Sequence, residues 1–353
     1  MRTFFAGFEA GHEPVKVTLG RGARRLLARE LEERDLTRAV VLTTAEQAAQ
    51  GETLRVELGS RSSGLFAGAK MHTPVETTEA ALAACEGADC LVALGGGSTI
   101  GLSKALALRT GLPQIVLPTT YAGSEATPVL GQTSGGRKET LRSAKIQPNV
   151  ILYDPELVVT LPASMTVTSG LNAMAHAVEA LYARDANPLS DQLAIAGLRT
   201  FRDGLAQVVQ QPNDLAAREA TLFGSWLCGT VLAQVGMSLH HKLCHTLGGL
   251  LNLPHADTHA VLLPHTAAYN ADVAAMQLHP AAELFGGSIG GGLYDFAAKL
   301  RAPSALSGLG VAEADLDRAA DLAVANPYWN PRTLDREGIR ELLQRAWSGA
   351  RPA

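Results

Sequence analysis

Six of the ten histidines fall between His240 and His265, in the run MSLHHKLCHTLGGLLNLPHADTHAVLLPH. His241 and His245 are four residues apart, so one face of a helix carries both. His255 follows ten residues after His245, just past Pro254. Upstream, TSGLNAMAHAVEA sets Asn172 and His176 four apart on another helix. Two helices that each show a polar i, i+4 pair predict one site between them. Imidazoles titrate near neutral pH and can move protons or bind a metal. His176, His241 and His255 would suffice for zinc with an open position. The fourth candidate, Asn172, is neutral and a poor ligand for a divalent ion. The missing negative charge weakens cation binding.

A second motif suits phosphate. CLVALGGGSTIGLSKALAL reads as a strand, a glycine turn and a helix. Gly95, Gly96 and Gly97 lack side chains, so a pyrophosphate can approach the backbone. Ser98 and Thr99 stand at the helix start, where free N–H groups and the dipole favour an anion. GGGS differs from GxGxxG, so the turn alone fits a structural role equally well. One strand later comes PTTYAGSEAT, a hydroxyl-rich loop holding Thr119, Thr120, Tyr121 and Ser124. Such a loop can wrap the nicotinamide half of a cofactor. Polar loops after neighbouring strands of one parallel sheet point to a ligand at the strand ends. After an earlier strand, VVLTTAEQ places the neutral Thr43 and Thr44 where a Rossmann-type site usually has an acid. A 2′-phosphate would not be repelled there, and both NADH and NADPH are expected to serve.

The elements that must position these residues change character along the chain. Short apolar runs at 15–19, 39–43, 90–94 and 114–117, with a weaker one at 64–69, read as strands. Helical patterns at 21–34, 76–85 and 98–108 alternate with them. That alternation predicts βαβ units and a parallel sheet. After the strand NVILYD the pattern is helical, at 167–182, 189–209, 215–235, 239–250, 259–270, 293–301 and 335–347. The Gly-rich segment 286–292 reads as a loop. The expected architecture is an α/β, Rossmann-like dinucleotide-binding domain over 1–155 and an all-helical domain over 156–353.

Composition narrows the classes further. The chain has 353 residues and is 46% apolar, which excludes disorder as its main state. Thirty basic against 34 acidic residues, a net charge of −4, argue against a nucleic-acid partner. Cys85, Cys90, Cys228 and Cys244 form no CxxC pair and read as buried thiols of a reducing cytoplasm. No apolar run reaches the roughly 18 residues of a membrane span. The N-terminal MRTFFAGFEAGHE has an apolar stretch too short for a signal peptide.

Together these strings resemble the iron-containing alcohol dehydrogenase superfamily, over essentially the whole chain. MHTPVE, GGGSTIGLSKALALRTGLPQIVLPTTYAGSEATP, TSGLNAMAHAVEALYARDANP, GSWLCG, VGMSLHHKLCHTLGGLLNLPHADTHAVLLPHTAAYN and NPYWNP carry the likeness. HHKLCHTLGG and the Asn of SGLNAMAHAVEA resemble its metal-independent maleylacetate reductase branch most closely. The resemblance implies the dehydroquinate synthase-like fold, with the active site in the cleft between domains, and usually a homodimer. Metal-dependent members use an Asp and three His, at positions matching Asn172, His176, His241 and His255. The departure at Asn172 is the branch's own, and it implies no metal. Gly95, Gly96, Gly97, Ser98, Thr119 and Thr120 match cofactor positions, and His245 matches a histidine near the nicotinamide.

The implied reaction reduces the enone double bond of maleylacetate to give 3-oxoadipate, in bacterial breakdown of aromatic compounds. A carbonyl reduced to an alkoxide concentrates charge on one oxygen, which a Lewis acid stabilises. An enolate spreads that charge, so hydrogen-bond donors and a nearby cation suffice. The candidate donors are His241, His245 and Tyr121, with Lys242 as an added charge. Either histidine suits proton return, because an imidazole titrates near the working pH. A dicarboxylate substrate also needs cations, for which Lys242, Arg142 and Lys145 are available. Asn172, His176 and His255 complete the substrate set. The rivals are a zinc- or iron-dependent alcohol or polyol dehydrogenase, a lyase resembling dehydroquinate synthase, and a non-catalytic nucleotide-binding module.

Overall fold

Strands that read as unbroken apolar runs are buried on both faces, as a parallel sheet covered by helices requires. Ala39–Leu42, Cys90–Gly95 and Gln114–Pro118 are buried at every residue. The structure is a computed structural model that describes residues 1–6, 14–135 and 137–353. Residues 7–13 of the N-terminal apolar stretch lie outside the described residues. The chain divides into two compact units, Met1–Leu161 and Pro162–Ala353.

The first unit holds nine strands among its described residues: β1 (Arg2–Ala6), β2 (Val15–Leu19), β3 (Ala39–Leu42), β4 (Ser62–Phe66), β5 (Cys90–Gly95), β6 (Gln114–Pro118), β7 (Val129–Ser134), β8 (Arg137–Arg142) and β9 (Val150–Tyr153). Seven form one sheet in the order β1-β2-β9-β6-β5-β3-β4. All its pairings are parallel except β1 with β2. From β3 the chain passes outward to β4, and from β5 it passes the other way to β6. The strand order therefore switches between β3 and β5, and ligands of open α/β sheets bind beyond the strand ends at such a point. The glycine turn follows β5, and Thr43 follows β3. β7 and β8 form a separate antiparallel hairpin, in register from Val129↔Arg142 to Ser134↔Arg137. The hairpin and β1 are additions to the strands expected from sequence. The hairpin's strands, VLGQTS and RKETLR, are too polar to stand out as apolar runs.

The second unit is helical among its described residues: Ala163–Leu181, Pro188–Gln210, Leu215–Gln234, Leu239–Leu251, His255–Asn270, Ala275–Leu284, Ile289–Lys299, Asp315–Ala325 and Arg336–Ser348. Pro188 sits at the first helical position behind an Asn187–Ser190 capping box, which fixes that start. No single described helix is long and apolar enough to cross a membrane. Two helices were not expected from sequence. Ala275–Leu284 contains Pro280, a residue that argues against a helix interior. Asp315–Ala325 is short and largely polar on its outer face.

The Gly-rich segment 286–292 is a correction: it is not all loop. A helix starts at Ile289, capped by Ser288, whose Oγ accepts the Gly291 N–H at 3.2 Å. Its glycines permit close packing. A Cβ on Gly290 would stand 2.5 Å from the Ala268 Cβ, and one on Gly292 would run into the Phe285 backbone.

Candidate active site

Asn172, His176 and Glu179 lie at i, i+4 and i+7 on the helix Ala163–Leu181, so one face presents all three. Leu239, Leu243, Cys244 and Leu247 of the next polar helix face a core with Val261, Leu262, Leu316, Ile339 and Leu343. That burial orients the helix Leu239–Leu251, and its other stripe carries His241 and His245. Pro254 precedes the helix His255–Asn270, which starts four residues earlier than the periodicity suggests. His255 and His259 thereby share one face.

Glu179 joins these helices. Its carboxylate is buried, and Oε1 accepts the His240 backbone N–H at 2.6 Å. Oε2 accepts the Ser238 N–H at 2.9 Å and faces His241 Nδ1 at 2.6 Å. Ser238 makes no side-chain cap of its own, so Glu179 closes the start of that helix. A negative charge is favoured there by the unpaired N–H groups and the dipole. Charge-assisted bonds of this kind contribute about 1.5–3 kcal/mol each. Because the carboxylate holds Nδ1–H of His241, its Nε2 is left to meet His176 Nδ1, at 2.8 Å. Glu179, His241 and His176 form a chain in which one proton can be shared between two imidazoles.

His245 is partly exposed, and its Nδ1 lies 3.0 Å from the Tyr328 hydroxyl. Burial, and then the charge of Glu179, raise the Tyr328 phenol above its ordinary value. The Lys242 ammonium lies 5.8 Å from the Tyr328 ring centroid, and burial lowers its pKa. The His255 ring stacks with His245 at 6.5 Å and meets His259 edge-on at 4.3 Å.

The set that matches the superfamily's metal ligands offers three imidazoles and no charged ligand. His241 meets Glu179 through Nδ1 and His176 through Nε2. The Asn172 Oδ1 is neutral, buried and without a protein partner among the described residues. Among the described residues, a different trio, His240, Cys244 and His259, has ligand atoms that all lie within 4.8 Å of one another.

The glycine turn lies in the first unit. The helix Gly97–Thr110 begins on the turn itself, one residue before the expected start. No acid stands in its first turn, and Gly97 is exposed with nothing within 4 Å of a Cβ placed there. A Cβ on Gly96 would meet the Thr120 Cγ2 at 2.6 Å. Gly95 pairs with Pro118, and its carbonyl accepts the Thr119 N–H at 3.1 Å. This open, uncapped helix start fits a pyrophosphate. Beside it, Lys104 is fully buried and donates to the Ser124 carbonyl at 2.5 Å, Thr127 Oγ1 at 2.9 Å and the Val129 carbonyl at 2.9 Å. Burial pulls Lys104 down to about 7, against a partial rise from Glu125. Those three bonds shape the hydroxyl-rich loop, and Thr99 Oγ1 and Ser124 Oγ are buried there without a protein partner among the described residues.

Other expected residues sit differently. Thr43 is buried and donates its hydroxyl to the Leu94 carbonyl at 2.9 Å, so it ties β3 to β5. Three residues further on, Glu46 is exposed, with its carboxyl held low by its own backbone N–H and by Thr44. Tyr121 is fully buried in the first unit. Arg142 ends β8 with an exposed side chain, and Lys145 is exposed just beyond it. Ser98 and Thr120 are half-buried at the turn. Glu179, Tyr328, His240 and His259 were not among the expected site residues. Only Glu179 had a clear signal, its place on the Asn172–His176 face.

Family models match both units: the C-terminal model of the Fe-containing alcohol dehydrogenase family over residues 166–347, and the iron-containing alcohol dehydrogenase model over 14–155. This chain belongs to the iron-containing alcohol dehydrogenase family. Membership makes it an oxidoreductase that uses a nicotinamide cofactor. It is 57% identical to maleylacetate reductase of Rhizobium sp. (strain MTP-10005), over 96% of this chain and 97% of that one. It is 50% identical to maleylacetate reductase of Burkholderia cepacia, over 96% and 97%. Among solved structures, maleylacetate reductase from Agrobacterium tumefaciens superimposes with a TM-score of 0.93 at 55% identity, covering 98% of this chain and 99% of that one.

Proposed function

We propose that this oxidoreductase reduces the enone double bond of maleylacetate to give 3-oxoadipate, with NADH or NADPH, and without a metal. The relatives' names support the substrate. The observation that carries the metal-free part is Asn172, a buried neutral amide at the position where metal-dependent members of the family are expected to have an acid.

Bound nicotinamide supplies the hydride. The uncapped helix start at Gly96, Gly97 and Ser98 holds the cofactor's pyrophosphate. Reduction at the carbon beta to the ketone leaves an enolate, and the carbon between them then takes a proton. His245, partly exposed and held by Tyr328, returns that proton. His176, at the end of the Glu179–His241–His176 chain, supplies a donor to the developing enolate or a carboxylate, and His241 couples it to the Glu179 charge. Lys242 adds positive charge for the dicarboxylate, and Asn172 and His255 complete its contacts. Arg142, with an exposed side chain, adds a second cation for the dicarboxylate, and Tyr121 is fully buried. The working state is a cytoplasmic homodimer, as is usual in the superfamily, with no nucleic-acid or membrane partner.

The test is NADH and NADPH oxidation by chelator-treated enzyme given maleylacetate, followed by absorbance. Rapid oxidation that added zinc or iron does not enhance is expected. Activity that returns only with metal would make it a metal-dependent dehydrogenase. Inactivity in both cases would remove the substrate assignment and leave the family.

A further inference from the structure

His240, Cys244 and His259 lie beside the Glu179–His241–His176 chain, and the proposed reaction uses none of them. His240 and Cys244 are one helical turn apart, and His259 comes from the following helix. All three are buried, at 1%, 1% and 0% exposure. We propose that these three side chains form a buried Zn²⁺ site, distinct from the positions that match the family's metal ligands.

Two imidazoles and a thiol are a donor set that suits zinc. His240 Nε2 lies 2.9 Å from His259 Nδ1 and 3.6 Å from Cys244 Sγ. Tetrahedral zinc with ordinary bond lengths sets its donors about 3.3–3.6 Å apart. The His240–His259 pair therefore opens by about 0.4 Å, and the Cys244–His259 pair lies within 4.8 Å.

One of the two imidazole protons already stands where a metal site needs it. Thr266 Oγ1 donates to the Leu262 carbonyl at 3.0 Å, so it accepts from His240 Nδ1, also at 3.0 Å. His240 then carries its proton on Nδ1 and keeps the Nε2 lone pair for a ligand. Thr266 acts as the outer partner that fixes this tautomer. His259 must move its Nδ1 proton to its own Nε2, which is buried and has no protein partner among the described residues. Burial and the neighbouring imidazoles keep both rings neutral, the form that binds metal. The Cys244 thiol loses its proton to solvent. One Zn²⁺ enters and one H⁺ leaves, with no redox change. Because all three donors are buried, loading waits on local opening and is slow.

Co²⁺ titrated into the chelator-stripped full-length chain, without added thiol, tests the site. One equivalent should bind slowly, with a thiolate-to-cobalt charge-transfer band in the near ultraviolet that Zn²⁺ abolishes. Cys244→Ser should lose the band and Asn172→Ala should keep it. Thr266→Val should weaken binding by about ten- to a hundredfold. X-ray absorption of the zinc-loaded wild type should give one sulfur and two imidazole ligands, which needs no variant. A missing band, a band surviving Cys244→Ser, a band lost in Asn172→Ala, or a sulfur-free shell would each overturn the site. None of these readouts depends on maleylacetate being the substrate.

Discussion

Glu179 serves two elements at once. It closes the start of the helix Leu239–Leu251, and it fixes the tautomer of His241. Glu179→Gln keeps the size of the side chain and removes its charge. Loss of the carboxylate that orients a working imidazole costs at least about tenfold. We expect kcat to fall by that much, with the KM for NADH nearly unchanged, in steady-state kinetics with both substrates varied. A Glu179→Gln enzyme with wild-type kcat would show that the carboxylate only caps the helix. His245→Ala should lower the rate by at least about tenfold, the low end of what a general acid contributes. Tyr328→Phe removes the hydroxyl that holds His245 and should cost less. If neither His245→Ala nor His241→Ala reaches tenfold, proton return lies elsewhere. The spacing of the histidines made this site legible, because i, i+4 pairs fix a shared face whatever the fold. Tyr328 was not legible: it lies 83 residues from His245 in the chain and meets it only through tertiary packing.

Glycines separate two kinds of helix within the second unit. Gly292 has its Cβ position filled by Phe285, whereas Gly249 has nothing within 4 Å. Gly292→Ala should destabilise by about 1–3 kcal/mol, the cost of overpacking. Gly249→Ala should stabilise by about 0.5–1 kcal/mol, because the helix loses a flexible residue at an exposed position. Denaturant midpoints of the two variants would move in opposite directions, and equal shifts would contradict the packing difference. The same distinction explains the segment 286–292. Glycine signals a loop through its backbone freedom, but Gly290 and Gly292 are needed for close approach, which composition does not reveal. The central strands were legible for the converse reason. β3, β5 and β6 are buried on both sides, so their apolar runs are continuous. β7 and β8 pair only with each other, and their polar residues hide them.

Across the molecule, acid acts first on imidazoles buried without charge. His240 and His259 are held well below 6.5, chiefly by burial, and His265 is held at about 4 for the same reason. An unfolded chain binds protons at these positions once the pH drops through about 6.5, while the folded chain does not. Stability from the three is therefore complete above that pH and is lost as the pH falls below it. Each contributes a slope of about 1.4 kcal/mol per pH unit, so the three together remove roughly 4 kcal/mol between pH 7.5 and 5.5. Lys104 acts in the same direction at higher pH. Its folded value of about 7 lies below the ordinary 10.5, so stability keeps rising with pH between those values. Carboxylates held low by their partners, such as Asp89, lose their share only below about 4, outside this window. Trp226, Trp329 and Trp347 are the chain's three tryptophans, and all belong to the second unit. Their fluorescence isolates the unit that holds the three histidines. Urea midpoints of the chelator-stripped chain, read this way, should fall steadily from pH 7.5 to 5.5, and His265→Gln should flatten the slope by about a third. A midpoint that stays level over that range would mean the buried imidazoles are already charged in the fold.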